Sequence, residues 1–316
     1  MIARRWVAPA YGGLDVLREV EVQLEPPKPG EVLLEVRASG VNPIDYKILE
    51  AGDPKQLPVA VGFEAAGILR FVGPGTTLVN GPAEIGTEVL AYRISGGYAS
   101  AVVVPGSCVF TKPSTLSFPE AANLLLVGTT AAEMLHVTGV RRGETILIHG
   151  ASGSVGVSVL QQAKVLGARV IGTASERNFE TVRKFGGVPV AYGEGLVERI
   201  RALAPGPIAA ALDAAGTDEA IDASLALVSD RQRIVTIVAI PRAQREGFLA
   251  IMNAFPESGR FRDSVRGNLV QLAAEGRLQV PIARTFSLDE AREALELLQT
   301  KHPGGKLALL APPGGT

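Results

Sequence analysis

The stretch from Thr145 to Ser175 constrains the fold more than any other. It reads Thr-Ile-Leu-Ile-His-Gly-Ala-Ser-Gly-Ser-Val-Gly, continues with Val155, Val159, Ala163 and Leu166 at helical spacing, and ends in Arg169-Val-Ile-Gly-Thr-Ala-Ser. A short isoleucine-rich run suits a buried parallel strand, and Gly167 is a helix stop. Strand, glycine turn, helix and strand make one right-handed βαβ unit. Gly153 and Gly156 lack a Cβ, so a pyrophosphate can approach the backbone and the helix can pack close to the strand. The N–H groups and positive dipole end of that helix then face the anion. Ala151 stands where G-x-G-x-x-G has its first glycine, and Gly150 before it supplies the turn. Ala151, Ser152, Gly153, Ser154 and Val155 are the candidate phosphate-binding residues. The alternative is a glycine-rich turn with no ligand.

At 316 residues the chain is long for one core, and two domains are expected. A formal net charge of −1 gives no basic field for nucleic acid or an anionic membrane. No apolar run approaches the ~18 residues of a membrane span. Met1-Ile-Ala-Arg-Arg-Trp lacks the apolar segment of a signal peptide. Cys108 is the one cysteine, so a cytoplasmic chain is expected, with no intrachain disulfide and no four-cysteine zinc site.

Before the βαβ unit the texture is β-rich. Val32–Ala38, a run from Glu64 broken by Gly67, Glu88–Tyr92 and Ala99–Val104 read as strands separated by Gly and Pro, which suits a small irregular barrel. From Pro119 onward Ala121–Leu126 and Thr129–Val137 read as helices. After the βαβ unit come helix Glu180–Phe185, strand Val188–Ala191, helix Gly195–Leu203, strand Ala209–Asp213, helix Glu219–Val228 and a strong strand Gln232–Ile240. The alternation predicts a doubly wound parallel sheet. Phe255–Gly276 reads as helical. Ala283–Phe286 and Lys306–Leu310 read as strands around a helix running to Gln299, capped by Ser287 and Glu290. Pro312 to Thr316 is expected to fray.

The chain resembles the medium-chain dehydrogenase/reductase superfamily, in its zinc-free quinone oxidoreductase branch. The likeness runs nearly end to end. It rests on Pro29-Gly-Glu-Val-Leu-Leu-Glu-Val, Gly40-Val-Asn-Pro-Ile-Asp-Tyr-Lys, Gly62-Phe-Glu-Ala-Ala-Gly, Gly128-Thr-Thr-Ala, the turn after Ile148, Asp213-Ala-Ala-Gly and Gly305-Lys-Leu-Ala-Leu. The resemblance implies an α/β chain with a GroES-like β-barrel catalytic domain (residues 1–117 and 283–316) and a Rossmann cofactor domain (residues 118–282), with the active site in a cleft between them. It also implies cofactor contacts at Thr129 and Lys306.

Zinc-dependent members carry a cysteine where this chain has Asn42 and a histidine where it has Phe63. An amide is a poor zinc ligand and a phenyl ring is none. His136, His149 and His302 show no ligand spacing; His149, ending a core strand, reads as a satisfied interior histidine. No metal is therefore expected. For the cofactor, Ala174 stands where an acid would hold a ribose 2′-OH, and Ser175 and Arg177 follow. A hydroxyl and a guanidinium suit a 2′-phosphate, and Tyr192 lies where relatives place a tyrosine near it. NADPH is the expected cofactor. Glu176 opposes it, and Arg177 is otherwise a solvated surface charge.

The resemblance places Asn42, Asp45, Tyr46 and Lys47 in a catalytic loop reaching nicotinamide ribose and substrate. Asn42 would hydrogen-bond the acceptor carbonyl or the ribose, and Asp45 would bond within the loop. Asn-Pro alone reads as a turn signal. Known quinone reductases have a tyrosine where this chain has Lys47, so Tyr46, Lys47 or solvent is left to supply the proton. The expected activity is hydride transfer from NADPH to a quinone or α,β-unsaturated carbonyl. A non-enzymatic NADPH-binding sensor or structural protein and, more remotely, a zinc alcohol dehydrogenase are the alternatives. A homodimer is expected through the apolar run from Arg233 to Ile240, read as a strand at a sheet edge; the alternative is a central strand with no free edge.

Overall fold

The computed structural model describes residues 1–251, 256–300 and 303–312. Phe255, His302 and residues 313–316 of the C-terminal tail lie outside the described residues. The chain forms two compact units, one of Met1–Leu126 with Val270–Thr316, the other Val127–Leu269.

The first unit is built on antiparallel strands. Glu31–Val41 pairs with Glu64–Val72, with Ala101–Pro105 and with the returning strand Lys306–Leu310. Lys306–Leu310 also pairs in parallel with Ile282–Ser287. The strand Lys306–Leu310 is thus inserted between Glu31–Val41 and Ile282–Ser287, far from Glu31–Val41 in sequence. Burial holds it there: Phe286, Leu288, Leu307 and Leu309 share one apolar core with Trp6, Leu34, Leu69 and Val109. The register sets Leu307 opposite Val41, which brings Lys306 beside Asn42. Helix Pro43–Glu50 follows directly, where a loop was expected. Asn-Pro-Ile-Asp is a turn signal, but it is equally a helix start, with Asn at the cap, Pro at the first helical position and Asp two places on.

The second unit is a six-stranded parallel sheet. Its strand order is Val188–Ala191, Arg169–Ala174, Thr145–His149, Ala210–Asp213, Ile234–Thr236 and Leu249–Ala250. The order reverses at Thr145–His149, as in a doubly wound Rossmann sheet. Both faces are covered. Ile146, Ile148, Val170 and Leu212 pack against helix Ser154–Leu166 on one side; Leu147, Ile171, Ala211 and Ile234 form a second core on the other. Gly167 ends the helix with φ +80°, as expected.

One expected strand is shorter. Of Gln232–Ile240, only Ile234–Thr236 is strand, and Ile240–Glu246 is helix. That strand lies between Ala210–Asp213 and Leu249–Ala250, so it is not an edge. The apolar run continues past Thr236 through the bend Ile237-Val238-Ala239, where Val238 is exposed, and a short apolar run does not by itself mark where a strand ends. The reason given for a dimer therefore falls, since this strand's pairing groups are already taken. Among the described residues no helix is long and apolar enough to cross a membrane.

Candidate active site

In the first unit, five polar side chains form one buried network: Asn42, Asp45, Glu64, Tyr98 and Lys306, none more than 4% exposed. Asn42 caps helix Pro43–Glu50, and its backbone N–H donates to Asp45 Oδ2 at 2.8 Å. Tyr98 donates its hydroxyl to the same oxygen at 2.8 Å. The Asn42 side-chain amide lies between two unambiguous partners. Lys306 Nζ, a donor only, bonds Asn42 Oδ1; Glu64 Oε1 accepts from Asn42 Nδ2 at 3.0 Å. The amide orientation follows from these partners. Lys306 also donates to the Val41 carbonyl at 2.9 Å, and Glu64 Oε2 accepts the Leu126 N–H at 3.0 Å. Gly40 makes room for Glu64: a Cβ there would meet its Oε1 at 2.8 Å and the Ala122 carbonyl at 2.2 Å.

Burial dominates the electrostatics. It pushes Asp45 up to about 7, against the lowering effect of the Tyr98 and Asn42 hydrogen bonds and of Lys306. It raises Glu64 and lowers Lys306, and the attraction between these two opposes both shifts. Tyr98 is held well above the usual phenol range by burial and by Asp45. Asp45 Oδ1 is buried without a hydrogen-bond partner. With Asp45 protonated, the ammonium and the Glu64 carboxylate neutralise each other.

The helix carries Tyr46 and Lys47 away from this network. Tyr46 is half-buried against the apolar core, and Lys47 is exposed. Glu64 and Tyr98 were absent from the expected site. The Gly-Phe-Glu motif was a signal for Glu64; Tyr98 had none.

In the second unit, residues 150–153 join strand Thr145–His149 to helix Ser154–Leu166. Gly150 has φ +78°, a conformation that favours glycine. Thr173 braces it twice, accepting the Gly150 N–H on Oγ1 at 3.2 Å and the Ala151 N–H on its carbonyl at 2.9 Å. Ala151 is tolerated for glycine because Gly172 lies opposite, where a Cβ would come within 2.5 Å of Ala151 Cβ. A Cβ on Gly156 would lie 2.3 Å from the Gly150 carbonyl, whereas Gly153 is exposed at the mouth of the turn. The first helical N–H groups have no intrahelical acceptor, so the turn can take an anion.

Ser152 Oγ accepts from Asn178 Nδ2 at 3.2 Å, which ties the turn to the loop bearing Ser175 and Arg177. Arg177 and Glu176 are both exposed, and Tyr192 is 59% exposed. Thr129 is buried in helix Leu125–Val137. Asp213 closes its own turn, accepting from the Ala215 and Gly216 N–H groups and the Thr236 hydroxyl. His136 stacks on Phe261 at 4.2 Å. Among the described residues no three His, Cys, Asp or Glu side chains converge to hold a metal.

Residues 28–114 match the alcohol dehydrogenase GroES-like domain, and residues 188–309 match the zinc-binding dehydrogenase family, a span containing neither Asn42 nor Phe63. The chain is 30% identical to a quinone oxidoreductase of Salmonella typhimurium, covering 95% of this chain and 97% of that protein. It superposes on the quinone oxidoreductase of Coxiella burnetii with a TM-score of 0.80 and 27% identity, over 99% and 100% of the two chains. A mycobacterial protein solved in complex with NADPH gives 0.82 and 27%, over 98% and 99%. The chain therefore belongs to the quinone oxidoreductase-like branch of the medium-chain dehydrogenase/reductase superfamily and is an oxidoreductase with a GroES-like and a Rossmann domain.

Proposed function

We propose that this is a cytoplasmic, NADPH-dependent, zinc-independent reductase of quinones or α,β-unsaturated carbonyls. Residues 1–117 and 283–316 serve catalysis and residues 118–282 serve cofactor binding. The observation that carries the reading is the Lys306–Asn42–Glu64 chain. It fixes the Asn42 amide so that its second N–H is available to an acceptor oxygen, with the Lys306 charge behind it. Such a donor stabilises negative charge on that oxygen without reorganising.

The turn residues Ala151 to Val155 bind the pyrophosphate. Ser175 and Arg177, with Tyr192, hold the 2′-phosphate, and Thr129 and the remaining Lys306 N–H contact the nicotinamide end. Bound NADPH supplies a hydride to an already activated acceptor. Asp45 acts on Asn42 by holding its backbone. The proton comes from Tyr46, Lys47 or solvent.

Zinc does not suit this donor set. The Asn42 amide is committed to Lys306 and Glu64, an ammonium sits against its oxygen, and Phe63 offers no lone pair. NADPH oxidation should be followed with a panel of quinones and enones, with NADH in parallel, before and after prolonged chelation. Sustained turnover that survives chelation is expected. No turnover with any acceptor would favour the non-enzymatic alternative, and loss on chelation restored by zinc would overturn metal independence. The protein is further proposed to be a homodimer, pairing through one of the two end strands of the parallel sheet, Val188–Ala191 or Leu249–Ala250. A monomer mass by light scattering at micromolar concentration would reject this.

A further inference from the structure

Four polar side chains lie side by side where the parallel strands of the second unit end: Thr173, His149, Asp213 and Thr236. The register pairs His149 with both Thr173 and Asp213, and Asp213 with Thr236, so all four share one face of the sheet. Asp213 accepts three hydrogen bonds, from Thr236 and from its own turn, and none of them comes from His149. His149 is 1% exposed, its Nδ1 lies 3.3 Å from Thr173 Oγ1, and its Nε2 is buried without a partner. An orphaned nitrogen in an apolar layer is a cost that leucine would avoid.

What His149 touches gives the reason. Thr173 Oγ1 has one proton and two lone pairs. It accepts the Gly150 N–H at 3.2 Å, so its own proton is free to go to His149 Nδ1. That requires a neutral imidazole with its proton on Nε2, and burial holds the ring neutral by pushing it down to about 4 against the pull of Asp213. The hydroxyl can then no longer rotate, and its lone pair stays on Gly150, the residue whose left-handed conformation starts the turn.

We propose that His149 is a positioning residue for the phosphate turn, acting through the Thr173 hydroxyl on the Gly150 N–H. The proposal rests on the reading that this turn binds the NADPH pyrophosphate.

The test compares two ligands by titration: NADPH, and adenosine 2′-monophosphate, which carries the 2′-phosphate but no pyrophosphate. His149→Leu removes the imidazole and Thr173→Val removes the hydroxyl while keeping its shape. Each should weaken NADPH about tenfold, roughly one lost hydrogen bond, and leave adenosine 2′-monophosphate within about twofold. The double variant should be no worse than Thr173→Val alone, because both changes break one chain. His149→Asn, whose amide oxygen can replace Nδ1 as acceptor, should restore NADPH binding to within about threefold of the original. Additive losses, equal losses for both ligands or silent variants would overturn the proposal. Should His149→Leu not fold, His149→Phe, which keeps a buried ring and removes Nδ1, takes its place with the same two ligands. A wild-type protein that does not bind NADPH would instead overturn the cofactor reading; one that binds it while the variants are silent would overturn only the relay.

Discussion

Two groups of buried polar side chains, one in each unit, solve the cost of burial differently. In the first, Lys306, Glu64 and Asp45 are ionisable groups that compensate one another, with Asn42 and Tyr98 filling the gaps between them. In the second, the row of Thr173, His149, Asp213 and Thr236 satisfies its one carboxylate with N–H and O–H donors and keeps its imidazole neutral. A charge network fails when one member is lost, because a partner is stranded in a low dielectric. A row of neutral hydrogen bonds loses only the bond that is cut. The network around Asn42 should therefore be fragile to single substitutions, and the row beside the turn at Gly150 graded.

Lys306→Met breaks the comparison at its strongest point. Removing one partner of a buried pair costs about 3–5 kcal/mol; here Glu64 loses its counter-charge and Asn42 the group that orients it. We expect a melting temperature lowered by many degrees and, in whatever folds, kcat reduced by at least about a hundredfold, on the order of one preorganised donor. A stable variant with unchanged kcat would show that Lys306 only fills space. In the cofactor unit, Gly153→Val puts a branched side chain at the exposed mouth of the turn. NADPH binding should be lost in a titration while the melting temperature moves by only a few degrees, as for a modest helix-cap change. Retained affinity would mean that the pyrophosphate lies elsewhere.

The second unit was more legible in sequence than the first, for a physical reason. The boundaries of Thr145–His149 and Ser154–Leu166 follow from local rules: an isoleucine run, a residue at positive φ, a helical period and a glycine stop. The network around Asn42 is made of contacts that no local rule encodes. Lys306 meets Asn42 because a C-terminal strand is inserted beside Glu31–Val41, and Tyr98, in the irregular stretch before Ala101–Pro105, meets Asp45 of helix Pro43–Glu50 far away in sequence. Asn42 and Asp45 were identified through family resemblance, but their helix was not, since Asn-Pro was taken as a turn. His149 was read as satisfied; its orphaned Nε2 becomes visible only once Asp213 is seen to be committed elsewhere.

Arg177→Ala sharpens the cofactor side. Its exposed guanidinium suits a 2′-phosphate, and a charge-assisted hydrogen bond is worth roughly 1.5–3 kcal/mol, about 10- to 150-fold in affinity. The ratio of kcat/KM for NADPH to that for NADH should fall by that factor while the NADH value holds. A wild-type ratio near one, or equal losses with both cofactors, would make Arg177 an ordinary surface charge and leave Glu176 to favour NADH.

The smallest effect contrasts the two units directly, because their buried groups titrate with opposite sign. His149 falls from 6.5 to about 4 on folding. The unfolded chain therefore binds more protons between these values, and the stability tied to His149 climbs with pH from about 4 to 6.5 and is lost as pH falls through that window. Asp45 rises from 3.8 to about 7. Here the folded chain binds more protons, so its contribution is full below 3.8 and is lost as pH rises to about 7. Each limb has a slope of at most ~1.4 kcal/mol per pH unit, and in the wild type the two largely cancel. Single substitutions should uncover them. Asp45→Asn imitates the protonated acid and keeps an acceptor for the Asn42 N–H and the Tyr98 hydroxyl, so its melting temperature should climb from pH 4 to 6.5. His149→Asn removes the other limb, so its melting temperature should fall between pH 4 and 7. Parallel profiles for wild type and both variants would show that neither group titrates across this range, and that the cancellation between the two units does not exist.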